Sequence, residues 1–197
     1  MIKAILFDVG GVLIEEPTKR RYKLLAKAAK LEKSEVKQRI KKYIKLFSTG
    51  KISKKEFVKS CAKELNIPEK TFERIWIGVR KDCKVKKLML KLAKKLKQNY
   101  TIAIISNSNP LDSKISTNQK IYEIFRPNLF LSERMGLAKP SKKFYRSVLK
   151  KLGVKPFQAL LIDDKQRNVK AAKEIGMKAI HYTNFLELKK QLRKLLS

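Results

Sequence analysis

The sequence predicts an α/β fold: a three-layer, Rossmann-like parallel sheet of five core strands, with an all-helical cap inserted after the first strand. Three observations predict it. From residue 85 onward, short apolar runs of strand length alternate with amphipathic helical stretches. One further apolar run, Ala4-Ile5-Leu6-Phe7, stands ahead of a long segment, about Thr18 to Arg80, that carries no strand-like run at all. Three of the apolar runs stop at acidic or small polar residues, as strands do when they deliver groups to the carboxyl edge of an open sheet.

The first strand, Ala4–Phe7, is apolar enough to be buried on both faces. It ends in Asp8, followed by Val9 and the pair Gly10-Gly11, where the chain can turn. Taken alone, an aspartate at that place is more often a cap or turn residue than a reactive group. Glu15-Glu16 and Pro17 then break the pattern. Tyr22, Leu25 and Ala29 mark one face of a first helix, and Val36, Ile40, Tyr43, Ile44 and Phe47 form the stripe of a second, ended by Ser48-Thr49-Gly50. Ser53 with Glu56 makes a capping box for a third helix carrying Phe57, Cys61 and Leu65. Pro68 opens a fourth with Phe72, Ile75, Trp76 and Val79. These stripes predict a small bundle with Trp76 as a core residue. The predicted division is a core of residues 1–15 and 83–197 and a cap of residues 16–82. The cap leaves and re-enters the core near Asp8, so it is expected to lie over the carboxyl edge as a lid.

The spacing predicts a helix over Val85–Gln98 with Leu88, Leu92 and Leu96 on its apolar face, then a strand from Thr101 that ends in Ser106-Asn107. Asn128–Leu131 reads as a third strand. A helix with Phe144, Val148, Leu149 and Leu152 stops at Gly153. The fourth strand, Ala159–Ile162, ends in Asp163-Asp164. A helix over Asn168–Ile175 stops at Gly176, Lys178–Tyr182 is the fifth strand, and Asn184 with Glu187 opens the last helix.

Composition narrows the class. A chain of 197 residues can build one good core with a modest insertion, and a hydrophobic share of 43% argues against disorder. No apolar run reaches the ~18 residues that span a bilayer. Met1 leads straight into the first strand, so no leader is expected and the protein is expected to be cytoplasmic. Cys61 and Cys83 lack metal-ligand spacing and read as reduced thiols. The formal charge of +32 has two readings. A concentrated basic stripe would point to nucleic acid. Lysines spread over nearly all the helices, with no basic tail and no interleaved aromatic residues, favour a generally charged surface. Nonspecific attraction to polyanions at low salt is expected, but no specific nucleic acid and no membrane. His181, the only histidine, lies in the fifth strand and reads as an edge or packing residue away from the site.

In a parallel sheet all strand carboxyl ends share one edge, which brings Asp8, Ser106-Asn107 and Asp163-Asp164 together. Three carboxylates in one place repel, and an oxygen-preferring cation such as Mg²⁺ relieves that. An aspartate, a serine, an asparagine, a metal and a lysine are the parts for phosphoryl transfer through an aspartyl-phosphate. Lys139, in Gly136-Leu137-Ala138-Lys139-Pro140, is the candidate cation that would neutralise both the nucleophile and the transferring group.

These stretches resemble the motifs of a known family. FDVGGVLI, IISNSNP, GLAKPSKKFYRSVLKKLGV and LIDDKQRNVKAAKEIGM are similar, in order and spacing, to the four motifs of haloacid dehalogenase superfamily hydrolases with a small helical cap. The resemblance implies Mg²⁺-dependent hydrolysis of a small phosphorylated metabolite. It implies Asp8 as nucleophile, Ser106 and Asn107 as ligands of the phosphoryl oxygens, and Lys139 as the charge-stabilising lysine. It also implies that Asp8, the Gly10 carbonyl, Asp163 and Asp164 hold Mg²⁺, and that Asn168 caps and orients the helix behind the acidic pair. One departure stands out: most phosphatases of this family carry a second aspartate, acting as general acid and base, where this chain has Gly10. Three explanations stay open: substrates with good leaving groups, a substitute carboxylate such as Glu15 or Glu16, or a phospho-ligand-binding protein with little turnover. A nucleic-acid-end phosphatase and a dehalogenase are the weaker alternatives.

Overall fold

Continuous apolar runs need cover on both faces, and the structure provides it. In the computed structural model, which describes residues 1–117 and 120–196, five runs form strands: β1 (Ala4–Phe7), β2 (Thr101–Ser106), β3 (Leu129–Leu131), β4 (Ala159–Asp163) and β5 (Lys178–His181). All pairings are parallel and the order is β3-β2-β1-β4-β5, so β1 is the central strand. Side chains alternate between two cores. Ile5, Phe7, Ile104, Leu160 and Ile162 face one layer of helices, and Leu6, Ala103, Ile105 and Leu161 face the other. The first layer includes α5 (Lys87–Leu96) and α11 (Phe185–Leu196), and the second is α9 (Lys142–Leu152) with α10 (Gln166–Lys173). Phe7 is in register with Ile104 and Ile162, so the next residues, Asp8 and Asp163, emerge side by side at the carboxyl edge.

Between β1 and α5 the chain forms α1 (Thr18–Ala29), α2 (Lys33–Ser48), α3 (Lys54–Glu64) and α4 (Glu69–Lys81). Their buried stripes make a third core of their own. Phe57 stacks on Phe47 and meets Phe72 and Trp76 edge-on. The Ser53–Glu56 capping box is formed in both directions, at 3.2 and 2.8 Å. Arg21 fastens this insert to α6 (Pro110–Thr117). Its guanidinium makes a two-pronged pair with Asp112 at 2.9 and 2.5 Å, donates to the Trp76 carbonyl, and lies 4.2 Å over the Trp76 ring. Leu111 of α6 joins the core of the insert.

Several elements differ from expectation for local reasons. α5 starts at Lys87, because Val85 is taken into an antiparallel bridge with Ile14. Its buried face is Met89, Ala93 and Leu96, and Leu88 is exposed. Two apolar stripes run side by side on this helix, and the one with the small residue Ala93 allows the closer approach to the sheet. α10 starts two residues ahead of Asn168. The short helices α7 (Lys120–Glu123) and α8 (Ser132–Met135) have no periodicity long enough to read from the sequence. Among the described residues no helix is long and apolar enough to cross a membrane.

Candidate active site

Asp8 leaves the central strand with its N–H still bonded to the Ile162 carbonyl at 2.9 Å, and its carboxylate is buried. Lys139 Nζ lies 2.9 Å from Asp8 Oδ1 and 2.6 Å from Asp163 Oδ2, with its side chain 1% exposed. Burial pushes the Asp8 carboxyl up to about 6, against the pull of Lys139 and with the neighbouring charge of Asp163. Burial alone would lower Lys139, but Asp8 and Asp163 outweigh it and hold the ammonium above its ordinary value. Lys139 is therefore a fixed positive charge between two acids. Its backbone is fixed as well. Asn107 Oδ1 accepts the Lys139 N–H at 2.7 Å, and Asn107 Nδ2 donates to the Lys139 carbonyl at 2.8 Å. Both ends of the Asn107 amide are thus engaged by the lysine segment. Ser106 is buried at the end of β2 beside them.

Asp163 is saturated. Its Oδ1 accepts from the Lys165 N–H and Asn168 Nδ2, both at 2.9 Å, and its Oδ2 accepts from Lys139 Nζ and from Asn168 Nδ2 at 3.0 Å. This corrects the expected cap: Asn168 is the third residue of α10 and its amide reaches back to Asp163 rather than capping the helix. Asp164 is the opposite case, with a buried Oδ1 that has no hydrogen-bond partner. Burial raises its carboxyl above the ordinary range, opposed by Lys165 and reinforced by Asp163 and Glu16. Asp8, Asp163 and Asp164 each present a carboxylate oxygen within 4.8 Å of the others, a spacing suited to one cation.

The two glycines after β1 are not equivalent. Gly11 has φ +84°, and a Cβ there would stand 2.6 Å from Asp164 Cγ. Gly10 would take a Cβ at ordinary van der Waals distance, with the nearest atoms Pro17 Cδ at 3.6 Å and Glu16 Oε1 at 3.9 Å. Gly11→Ala is expected to lose at least ~1–2 kcal/mol to left-handed backbone strain alone, before the displacement of Asp164 is counted. Gly10→Ala should be near neutral. Urea unfolding of both variants checks this, and equal midpoints would contradict the account.

Asp8, Gly10, Ser106, Asn107 and Lys139 line one side of a cavity of about 540 Å³, and Arg21, Tyr22, Ile44, Trp76 and Arg80 of the insert line the other. Trp76 belongs both to the core of the insert and to the cavity wall. His181 stands nearer the acidic pair than expected. It pairs in register with Asp163, and its Nε2 is 3.0 Å from the Asp164 carbonyl oxygen, yet the residue is exposed and outside the cavity lining. Sequence reasoning missed Arg21 and Asp112. A signal existed: Arg21 falls four residues before Leu25 on the apolar face of α1, where an arginine needs a partner.

The model of haloacid dehalogenase-like hydrolases matches residues 2–176. The whole chain is 27% identical to the whole of a D-ribitol-5-phosphate phosphatase from Bacteroides thetaiotaomicron. It is also 27% identical to a sesquiterpene phosphatase from Aspergillus oryzae, over 98% of this chain and 96% of that one. Among solved structures, the magnesium complex of a family enzyme from Bacteroides thetaiotaomicron superposes with a TM-score of 0.81 at 23% identity, covering 96% of this chain and 98% of the other. An L-2-haloacid dehalogenase from Xanthobacter autotrophicus shares the fold more distantly, with a TM-score of 0.66 at 17% identity over 98% of this chain and 83% of that one.

Proposed function

The chain belongs to the haloacid dehalogenase-like hydrolases, and we propose that within this family it is a Mg²⁺-dependent phosphate monoester hydrolase acting on a small phosphorylated metabolite through an aspartyl-phosphate on Asp8. The observation that carries the reading is the triad of buried charges, Asp8–Lys139–Asp163, of which Asp8 and Lys139 line a cavity also lined by Arg21, Tyr22 and Trp76 of the insert. Two relatives matched over nearly their full length are named phosphatases, which supports the reaction class.

Asp8 supplies the attacking oxygen: the new bond to phosphorus forms as the ester bond breaks, and water later displaces Asp8 and releases phosphate. Lys139 offsets charge on Asp8 and on the transferring phosphoryl group. Ser106 Oγ and the Asn107 backbone N–H would meet the phosphoryl oxygens, while the Asn107 amide holds Lys139 in place. Asp8, Asp164 and the Gly10 carbonyl would hold Mg²⁺. Asp163 shares the cluster, with its oxygens engaged by Lys139, Asn168 and Lys165. The bare buried oxygen of Asp164 is what fits a cation, and it favours this reading over halide displacement, which needs no metal. When bound, Mg²⁺ supplies charge neutralisation for the phosphoryl group. Residues 16–82 would act as the cap that sets specificity and excludes water. The unpaired thiols Cys61 and Cys83 suit a reducing cytoplasmic setting.

The test is turnover of an aryl phosphate that requires Mg²⁺, stops with EDTA and returns when Mg²⁺ is added back. EDTA-insensitive turnover would contradict it. Protons and Mg²⁺ compete for the same carboxylate oxygens, and Asp8 takes up its proton near pH 6 in the metal-free site. Mg²⁺ affinity should therefore fall as pH is lowered through 6, approaching about tenfold per pH unit for one competing proton. Calorimetric titration between neutral and acidic pH reads this directly.

A further inference from the structure

Hydrolysis of a covalent phosphoryl intermediate requires that the attacking water lose a proton, and departure of an alkoxide requires that it gain one. The groups already described are committed elsewhere. Asp8 carries the phosphoryl group, Lys139 is a fixed cation, and Asp163 is saturated by Lys139, Asn168 and the Lys165 N–H. Gly10 has no side chain to offer. The space its side chain would enter is not empty, because Glu16 Oε1 lies 3.9 Å from the position of a Cβ at Gly10. Glu16 lines the same cavity as Asp8 and Lys139, and Glu15 does not: its Oε2 accepts the Lys84 N–H at 3.1 Å. The Glu16 carboxylate is also aimed. Its Oε2 accepts the Thr18 N–H at 2.9 Å, its Oε1 accepts the Thr18 hydroxyl at 2.6 Å, and Lys165 Nζ stands 3.9 Å from Oε1. These contacts tie it to the first turn of α1, at the hinge between core and insert.

We propose that Glu16 is the general acid/base of this enzyme, taking over from the hinge the function for which Gly10 has no side chain. The proposal rests on the phosphatase reading above. In the hydrolytic half-reaction the bond between water oxygen and phosphorus forms, the Asp8–phosphorus bond breaks with its electron pair returning to the carboxylate, and the water proton passes to Glu16. In the next cycle that proton goes to the leaving oxygen of the ester as its bond to phosphorus breaks, so the proton balance closes without another group.

The variant that tests this is Glu16→Gln. Its side-chain carbonyl can still accept the Thr18 N–H, so the anchor of α1 is kept, but it cannot take a proton. With 4-nitrophenyl phosphate, whose leaving group departs without a proton, rapid mixing should show a burst of about one equivalent of nitrophenolate. Steady turnover after it should be slower than wild type by about 10²–10⁴-fold. With an alkyl phosphate both half-reactions should slow and no burst should form. Adding Gly10→Asp to Glu16→Gln should restore part of the turnover, because a carboxylate from residue 10 enters the same space. Wild-type turnover with Glu16→Gln unchanged in burst and steady state would overturn the proposal alone. Loss of the nitrophenolate burst together with turnover, at an unchanged unfolding midpoint, would also overturn it by assigning Glu16 to positioning Asp8. A wild-type protein without Asp8-dependent turnover would overturn the phosphatase reading and this proposal with it.

Discussion

Asp8→Asn is expected to abolish turnover, by at least about 10⁴-fold in kcat, while the protein stays folded. An asparagine amide occupies the same volume but is a poor nucleophile, and an amide oxygen does not take up a phosphoryl group and release it in turn. The fold should tolerate the change because Asp8 is a costly residue for stability. Its carboxyl is raised to about 6 chiefly by burial, so replacing it with a neutral isostere removes a desolvation penalty as well as an ion pair. Lys139 would keep Asp163 at 2.6 Å as its partner. The expected signature is a lost activity with an unfolding midpoint equal to or above wild type. Lost activity together with a large loss of stability would mean that Asp8 serves the fold instead.

Lys139→Met is expected to do the reverse to stability. Methionine fills the volume of the lysine stem but leaves Asp8 and Asp163 facing each other in a buried site with no cation between them. Removing one partner from a buried charge cluster costs about 3–5 kcal/mol. Turnover should fall with it, since the charge that offsets the phosphoryl group is gone. The pH dependence has a definite sign. Without Lys139 the Asp8 carboxyl rises further above its unfolded value, so the folded state binds more protons than the unfolded chain. The destabilisation is then largest at neutral pH and shrinks as pH falls toward 6, where a proton on Asp8 takes the place of the ammonium. Urea unfolding at pH 7.5 and pH 5 should show the gap to wild type narrowing at the lower pH, and a gap that widened would contradict the charge assignment.

The floor of the site was legible because each central strand is a continuous apolar run that ends abruptly. Ile5-Leu6-Phe7 stops at Asp8, Ile104-Ile105 at Ser106, and Leu161-Ile162 at Asp163. Burial on both faces requires such runs, and their ends fall on one edge by topology. Lys139 was legible only through its Gly–Pro setting and the family resemblance, since one lysine in so basic a chain carries no signal alone. What did not read from the sequence depends on chain closure. The Asn107 amide grips the backbone of Lys139 32 residues away, and Arg21 meets Asp112 91 residues away. No local pattern encodes either pairing. The family resemblance assigns Asn168 to a helix cap, yet its amide is spent on Asp163. Gly10 and Gly11 are identical letters. Only the fold distinguishes the one pressed against Asp164 from the one that opens toward Glu16.

The most direct test of the central claim is to trap the intermediate. Wild-type protein turning over an aryl phosphate with Mg²⁺ is quenched in acid within a single turnover, cleaved, and its peptides weighed. The account predicts one added phosphoryl group on the peptide that contains Asp8, absent in Asp8→Asn and lost on brief exposure to base. A phosphoryl group on any other peptide, or its persistence in Asp8→Asn, would contradict it.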